Sequence, residues 1–234
     1  MKLRFALAAL LFSLSALAQQ GATPAPSASD PASVCFTFMW NEGIPWQSYS
    51  IQVRVDGKTH FEGIPNPSQD GDNDPVQQDF TMSEANRQKI FDSAQRLNYF
   101  RGDLDSHLKH IAQTGAKTLV YKSAQVQGSS TYNYSQSPEV QQLTQLFLGL
   151  AAALDYGRKL AWQYRFDKLG MNQLLRELED LQATHQVEEL SAIEPMLSKI
   201  ANDPDLMHIT QQSARHLLKA IGVPGAANQG AAQP

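Results

Sequence analysis

The apolar and polar positions of the chain follow two different periods, one before and one after residue 137. Before residue 137, five short runs are either continuously apolar or alternate between apolar and polar residues, and one helical pattern capped by Ser83 separates the third run from the fourth. The five runs predict β-strands at residues 34–40, 49–55, 58–62, 118–121 and 130–134. We therefore predict an α+β fold, in which a small antiparallel sheet with one packed helix is followed by a C-terminal helical bundle.

Two turns are predicted to connect these strands. Asp56-Gly57 lies between two alternating runs, and this dipeptide favours a type I′ hairpin turn, in which both central residues have positive φ. Residues 127–129 (Gln-Gly-Ser) have the composition of a turn and are predicted to join the last two strands.

The rest of the chain has helical spacing. Ser137 is a predicted N-cap, and Pro138 suits the first helical position because no amide donor is needed there. Two apolar faces follow, formed by Val140, Leu143, Phe147, Leu150 and Leu154 and by Met171, Leu174, Leu175, Leu178 and Leu181. A capping box at residues 191–194 and Asp203 before a proline predict two further helix starts, and Gly222 predicts the end of the last helix.

Residues 1–18 have the three parts of a secretory signal peptide. Lys2 and Arg4 precede an apolar run, and residues 16–18 (Ala-Leu-Ala) supply the small residues that a signal peptidase needs. The alternative is an uncleaved anchor, although the run is shorter than the ~20 residues of a membrane span. We expect a periplasmic or secreted protein with no transmembrane segment after cleavage of the signal.

Composition divides the mature chain further. Residues 19–32 and 224–234 are rich in small and polar residues without apolar periodicity, which predicts a flexible linker and a disordered tail. Between them we expect an α+β domain at residues 33–136 and a helical domain at residues 137–223.

The overall composition excludes several classes of protein. A hydrophobic content of 42% excludes a wholly disordered chain, and a net charge of −4 gives no electrostatic reason to expect nucleic acid as a partner. The single cysteine, Cys35, excludes an intramolecular disulfide and a cysteine-rich metal site. A buried, small apolar role is favoured for Cys35 over lipid attachment, because it lies far beyond the apolar run of the leader.

Three aspartates at alternate positions, Asp70, Asp72 and Asp74, are similar to the start of a calcium-binding loop. The rest of that motif is missing, since Pro75 stands where the loop requires glycine and Thr81 where it requires a bidentate glutamate. A solvated, turn-rich loop is the favoured interpretation. A weak surface calcium site is the alternative, and no other cofactor is expected.

A second polar segment contains His107 and His110, which would share one face if the segment were helical. A zinc site needs further ligands, and Lys109 beside the pair would repel a cation. A polar, charged connection is therefore favoured over a metal site.

Basic and aromatic residues are interleaved near residue 160. Arg158, Trp162 and Arg165 are spaced by four and three residues, so they form one stripe on a helix. Burial of the aromatic rings against the sheet, with the basic groups in water, is the favoured interpretation. The alternative is a surface that binds a partner, since Trp, Tyr and Arg dominate interface hot spots.

The sequence contains no G-x-S-x-G motif, no glycine-rich phosphate loop and no HExxH zinc motif. The favoured hypothesis is an exported, non-catalytic binding or structural protein whose partner is another exported protein. One alternative is a proteinaceous protease inhibitor that uses the hairpin or residues 63–78 for contact. The other is a metal-dependent hydrolase whose site forms only in the fold, near His60, His107 or His110.

The order of strand, tight turn, strand, helix, two strands and helix in residues 34–150 resembles small, uncharacterised α+β domains of exported bacterial proteins. The resemblance is carried by residues 49–62 with the Asp56-Gly57 turn, by the helix at residues 83–97 and by Ser137 before the next helix. A similar order occurs in emfourin-like inhibitors of metalloproteases, and that resemblance implies inhibition and no catalytic residue. Emfourin-like proteins carry a glycine-rich segment after the first strand, whereas this chain has Asn-Glu-Gly-Ile-Pro-Trp at residues 41–46.

Overall fold

The computed structural model describes residues 31–40, 42, 45–66 and 74–223. The predicted signal peptide, nearly all of the predicted linker and the predicted tail lie outside these residues. The described part combines one antiparallel sheet with a set of helices, which confirms the predicted α+β fold class.

Six strands form one sheet in the order β4-β3-β2-β1-β5-β6, with every neighbouring pair antiparallel. The strands are β1 Ser33–Met39, β2 Trp46–Arg54, β3 Lys58–Pro65, β4 Val76–Thr81, β5 Ala116–Lys122 and β6 Gln127–Tyr132. Five of them correspond to the predicted runs. β4 was not predicted, because Gln77, Gln78 and Asp79 place polar residues on both faces of the strand.

The described chain also contains five α-helices and two short 3-10 turns. The helices are α1 Glu84–Arg96, α2 Pro138–Phe166, α3 Met171–Ala183, α4 Glu194–Asn202 and α5 His208–Ala220. The 3-10 turns are Asn98–Phe100 and Leu190–Ile193. The predicted cap of α1 is confirmed, since the Ser83 hydroxyl accepts a hydrogen bond from the Asn86 amide. Ser137 is the N-cap of α2 as predicted, although its side chain makes no capping hydrogen bond.

One face of the sheet is buried beneath α1 and the first half of α2. Phe36, Ile51, Phe61 and Leu119 form a row across the inner strands, and all four are fully buried. Phe147 of α2 stacks on Phe36 with ring centroids 4.8 Å apart. Burial of each such side chain stabilises the fold by roughly 1.5–3 kcal/mol.

A second hydrophobic core lies among the C-terminal helices. Leu160, Leu175, Leu197 and Leu217 meet there, each almost completely buried. α2 takes part in both cores and, at 29 residues, has a length of about 43 Å from a rise of ~1.5 Å per residue. The division of the chain into domains at residue 137 stays a prediction.

Two of the predicted turns differ from the structure. The hairpin at Asp56-Gly57 is confirmed, but the predicted type I′ turn is wrong: Gly57 has a φ of 87°, whereas Asp56 is not among the residues with positive φ. The loop has three residues, 55–57, and Gly57, in the left-handed region, closes it by donating its amide hydrogen to the Arg54 carbonyl at 2.9 Å. The turn predicted at residues 127–129 is also wrong, because β6 includes them and the chain turns at residues 123–126, around the Ser123 hydroxyl.

Two predicted helix starts in the C-terminal half are wrong for a common reason. Ser191 donates its hydroxyl hydrogen to Glu189 and lies in a 3-10 turn, so that α4 begins three residues later, at Glu194. Asp203 ends α4, and its carboxylate accepts hydrogen bonds from the Tyr164 hydroxyl at 2.7 Å and the Asp205 amide at 2.9 Å. At both positions, the side chain that the sequence pattern assigns to a helix cap makes other hydrogen bonds instead. Ser191 bonds to Glu189, and Asp203 bonds to Tyr164 and Asp205.

Glu189 connects the helical half to the first helix of the sheet half. Its carboxylate is buried and accepts hydrogen bonds from the Ser83 amide at 3.0 Å, the Ser83 hydroxyl at 2.7 Å and the Asn86 side chain at 2.9 Å. The amides at a helix N-terminus favour a negative charge. Glu189 therefore holds the N-terminus of α1 against the Leu190–Ile193 turn.

Candidate functional site

The C-terminal end of α2 and the turn after it expose three large apolar side chains. Trp162 is 57% exposed, Phe166 70% and Leu169 77%. Trp162 and Phe166 lie one helical turn apart, with ring centroids separated by 5.5 Å. We call these three residues the apolar tip. Clusters of exposed apolar side chains on a folded protein mark surfaces for binding.

The apolar tip is exposed to solvent because the opposite face of α2 packs into the second core. Leu160 is fully buried in that core. Tyr164 is half-buried; its hydroxyl donates to Asp203, and the Lys199 ammonium lies 4.1 Å from the centre of its ring. Because one face of this part of α2 packs into the core, the side chains of the opposite face are exposed to solvent.

Basic residues outnumber acidic ones around the tip. Residues 155–169 contain four basic and two acidic side chains, whereas the whole chain has a net charge of −4. Asp155 is buried and is bound by Arg158 at 2.8 Å and Lys159 at 2.7 Å. Arg165 is exposed beside the tip. The segment that carries the tip therefore has a formal charge of +2, in contrast to the −4 of the whole chain.

The structure brings only part of the predicted stripe together. Burial of the aromatic rings was expected, and this expectation is wrong for Trp162 and Phe166, because the cores engage the other side of the helix. Arg158 is half-buried, and its guanidinium lies 5.9 Å from the ring of Trp46, in the sheet half. Assignment of Arg158, Trp162 and Arg165 to partner binding stays a prediction. Leu169 was not predicted, because it follows the helix and no periodic pattern includes it.

The predicted calcium loop lies mostly outside the described residues. Asp70 and Asp72 are outside them, and Asp74 is exposed at the start of the segment that leads into β4. Calcium binding therefore stays a prediction. Within the described ranges, no group of three or more His, Cys, Asp or Glu side chains could hold a metal ion.

His107 and His110 do not lie in a helix, so the arrangement in which they would share one helical face is not formed. Residues 101–115 contain no helix, and the two histidines have φ values of 51° and 64°. His107 instead binds Asp103, with 2.6 Å between Nε2 and Oδ2. This hydrogen bond raises the pKa of His107 and lowers the pKa of Asp103. The pair is exposed and orders a surface loop.

The face of the sheet opposite the helices is polar and open to water. It carries a shallow groove of about 520 Å³, in which His60 Nδ1 lies 2.7 Å from Asp79 Oδ1. The side chains of His60 and Asp79 are 44% and 85% exposed. His60 and Asp79 therefore form a solvent-exposed hydrogen-bonded pair on the open face of the sheet.

Cys35 lies on the same open face and is half-buried rather than fully buried. Its Sγ is 3.9 Å from Thr37 Oγ1, and burial raises the pKa of the thiol. The neutral thiol is a poor nucleophile.

Lys117 is a buried basic residue at one end of β5. Its ammonium donates hydrogen bonds to the main-chain carbonyls of Thr114, Gly115 and Asn133, at 3.2, 3.1 and 2.9 Å. Burial lowers the pKa of Lys117. These hydrogen bonds connect the segment before β5 to the end of β6, so Lys117 stabilises the fold at this point.

Two comparisons with known proteins give no information on function. No protein-family model matches the chain, and a search of curated proteins finds no significant match. None of the helices that the structure describes has both the length and the apolar character needed to cross a membrane. The resemblance of residues 34–150 to exported α+β domains stays a prediction.

Proposed function

We propose that this protein is an exported, non-catalytic binding protein that docks another exported protein through the apolar tip. The observation that carries the proposal is the exposure of Trp162, Phe166 and Leu169 at the end of a helix that is otherwise anchored in two cores. Covering these side chains with a partner stabilises the complex by roughly 25 cal/mol per Å² of apolar surface removed from water.

The chemistry around the tip favours a protein partner with an acidic rim. Arg165 is exposed beside the aromatic rings, and both Trp and Arg are enriched in interface hot spots. Carboxylates also lie close by, since Asp167 accepts from the Gly170 amide and Asp203 lies 3.5 Å from Lys168. These carboxylates would be repelled by an anionic membrane surface, whereas a protein can place its own charges to match both signs.

Export is the second part of the proposal and rests on the charge, apolar run and Ala-Leu-Ala sequence of residues 1–18. Intact-mass measurement of the protein released from the periplasm or the medium should give a chain that starts at Gln19. A chain that keeps residues 1–18 and remains in the cytoplasm would contradict this part.

Binding is tested by capture from an extract of exported proteins. We expect Trp162→Ala and Phe166→Ala each to weaken binding of the captured partner by at least about 30-fold, because a central aromatic hot spot contributes ~2 kcal/mol or more. Both side chains are exposed, so the melting temperature of the variants should stay close to that of the unchanged protein.

The matched control is Ile209→Ala, which removes an apolar side chain of similar exposure, 51%, from α5. This variant should retain the partner. Equal retention by all variants, or equal loss with Ile209→Ala, would contradict the proposal. So would binding of the unchanged protein to vesicles of anionic phospholipid with no protein captured.

A further inference from the structure

The two edge strands of the sheet, β6 and β4, differ in how far other residues cover them. β6 is covered along its edge: Arg101 Nε donates to the Gln127 carbonyl at 3.1 Å, and the Leu104 amide donates to Ser130 Oγ at 3.1 Å. The carbonyl of Tyr99 in addition lies over Gly128 on the helix-covered face of β6, where a Cβ would clash with it. Such covering is a common protection of an edge strand against pairing with another chain.

β4 forms the opposite edge and pairs only with β3 in the part of the chain that the structure describes. Half of the main-chain N–H and C=O groups of an edge strand point away from its neighbour. The six residues of β4 span about 20 Å at ~3.4 Å per residue, which is enough for an added strand of five or six residues.

A groove runs along this open edge. It has a volume of about 560 Å³ and lies between residues 78–81 of β4 and the start of α4 together with the end of α5. The wall opposite β4 carries four apolar side chains, Ala192, Pro195, Ile221 and Val223, together with Ser191 and Glu194. Gln78 ties the strand to this wall, since its Nε2 donates to the Ala192 carbonyl at 2.5 Å. A strand added beside β4 would thus have main-chain hydrogen-bonding groups on one side and a partly apolar surface for alternate side chains.

The charged residues that line the groove are acidic and favour a basic occupant. Asp79 and Glu194 are its only charged lining residues within the described ranges. Asp79 points to the open face of the sheet, next to His60, and Glu194 accepts a hydrogen bond from the Ser198 hydroxyl at 2.8 Å. Basic side chains on the open-face side of an incoming strand complement Asp79, and Glu194 adds a second negative charge at the opposite wall.

We propose that β4 accepts an extended peptide segment of a partner as a seventh strand, in which apolar residues facing the Ala192–Val223 wall alternate with lysine or arginine. Main-chain hydrogen bonds to β4 provide affinity, and the alternating side chains provide selectivity. This site is separate from the apolar tip and does not depend on the function proposed for that tip.

The experiment uses a blocked heptapeptide of alternating valine and lysine, titrated into the ¹⁵N-labelled protein. Two N-methylated versions carry the methyl groups on opposite edges of the peptide. We expect amide shift changes in β4 and in the facing residues 191–195 and 221–223. One N-methylated version should lose binding at least tenfold and the other should keep it, because only one edge of an added strand pairs with β4. A version with glutamate in place of lysine should bind more weakly than the parent.

A double variant tests the charges. Asp79→Asn with Glu194→Gln should weaken binding of the lysine peptide about three- to tenfold, the size expected for two exposed ion pairs. The control, Glu177→Gln with Asp180→Asn on α3, changes the net charge equally and should leave binding within about twofold of the unchanged protein.

Several results would overturn the proposal. In the peptide titrations, these results are a lack of binding of the parent peptide, equal binding of both N-methylated versions, or amide shift changes at β6 or the apolar tip instead of β4. In the charge test, the contradicting result is equal weakening of binding by both double variants. Dimerisation of the chain through β4 would also overturn it, because a second copy would then be the occupant of the edge.

Discussion

Gly157 lies where α2 meets the Leu190–Ile193 turn, and the structure leaves no room there for a side chain. A Cβ at this position would be 2.4 Å from Ile193 Cγ2. The close approach brings the turn that holds Glu189 and Ile193 against the helix. Because glycine has no Cβ, α2 and the Leu190–Ile193 turn can approach each other this closely.

We expect Gly157→Ala to destabilise the protein by about 1–2 kcal/mol, because overpacking costs ~1–3 kcal/mol and exceeds the ~1 kcal/mol that alanine adds to helix stability. In an Ile193→Ala background the same substitution should be neutral or stabilising, since the clash is gone. Urea unfolding of the four proteins measures this. Equal destabilisation in both backgrounds would contradict the packing, and Gly102→Ala, with nothing within 4 Å of its Cβ, is the control.

The pair of Asp103 and His107 gives the surface loop a dependence on pH. The pKa of His107 is raised above its ordinary value of 6.5, so its contribution is complete below pH 6.5 and is lost as the pH rises through the raised pKa. The pKa of Asp103 is lowered below 3.8, so its contribution is complete above pH 3.8 and is lost as the pH falls through the lowered pKa. The pair therefore orders the loop most strongly between pH 3.8 and 6.5.

An NMR titration of the His107 imidazole measures this directly. We expect a pKa above 6.5 in the unchanged protein and a lower pKa in Asp103→Asn, because the amide keeps no negative charge to stabilise the imidazolium. A pKa of His107 that is the same in both proteins would show that Asp103 does not hold it.

Among the elements, α1 depends on a cap supplied from more than a hundred residues away. Glu189 has a φ of 58° and accepts hydrogen bonds from Ser83 and Asn86. A positive φ is costly for glutamate, and the hydrogen bonds offset that cost. The contact couples the first helix of the sheet half to the helical half.

Glu189→Ala should destabilise the protein by about 2–4 kcal/mol, because it leaves buried donors of Ser83 and Asn86 without an acceptor. Thermal or urea unfolding followed by circular dichroism gives the value. Glu84→Ala removes a carboxylate that is 83% exposed from the first turn of the same helix and should cost no more than about 0.5 kcal/mol. Equal effects of the two substitutions would contradict the role of Glu189.

The pattern of elements could be predicted where each element buries one face. Alternation identified β2 and β3, and the seam from Val140 to Leu154 identified the first half of α2. β4 was missed because an edge strand with an exposed face and few apolar residues has no clear alternation. The helix starts at Ser191 and Asp203 were misplaced because Glu189 and Tyr164, distant or outside the local motif, engage those side chains.

For the molecule as a whole, the two candidate surfaces arise from how the helical half sits beside the sheet. The sequence pattern identified Trp162 as part of a stripe, but its exposure depends on which face of α2 the second core covers. The groove beside β4 could not be predicted at all, since it brings together residues 78–81, 191–195 and 221–223. The groove is made of segments that are far apart in the chain, whereas the apolar tip is local and only its exposure depends on the packing of α2.

The measurement that tests the central claim most directly is photo-crosslinking of the exported protein with a photoreactive residue at position 162. We predict one discrete adduct with another exported protein at position 162 and no such adduct when the residue is placed at position 209. No adduct at position 162, an adduct consisting of two copies of this chain, or the same adducts at both positions would contradict the account.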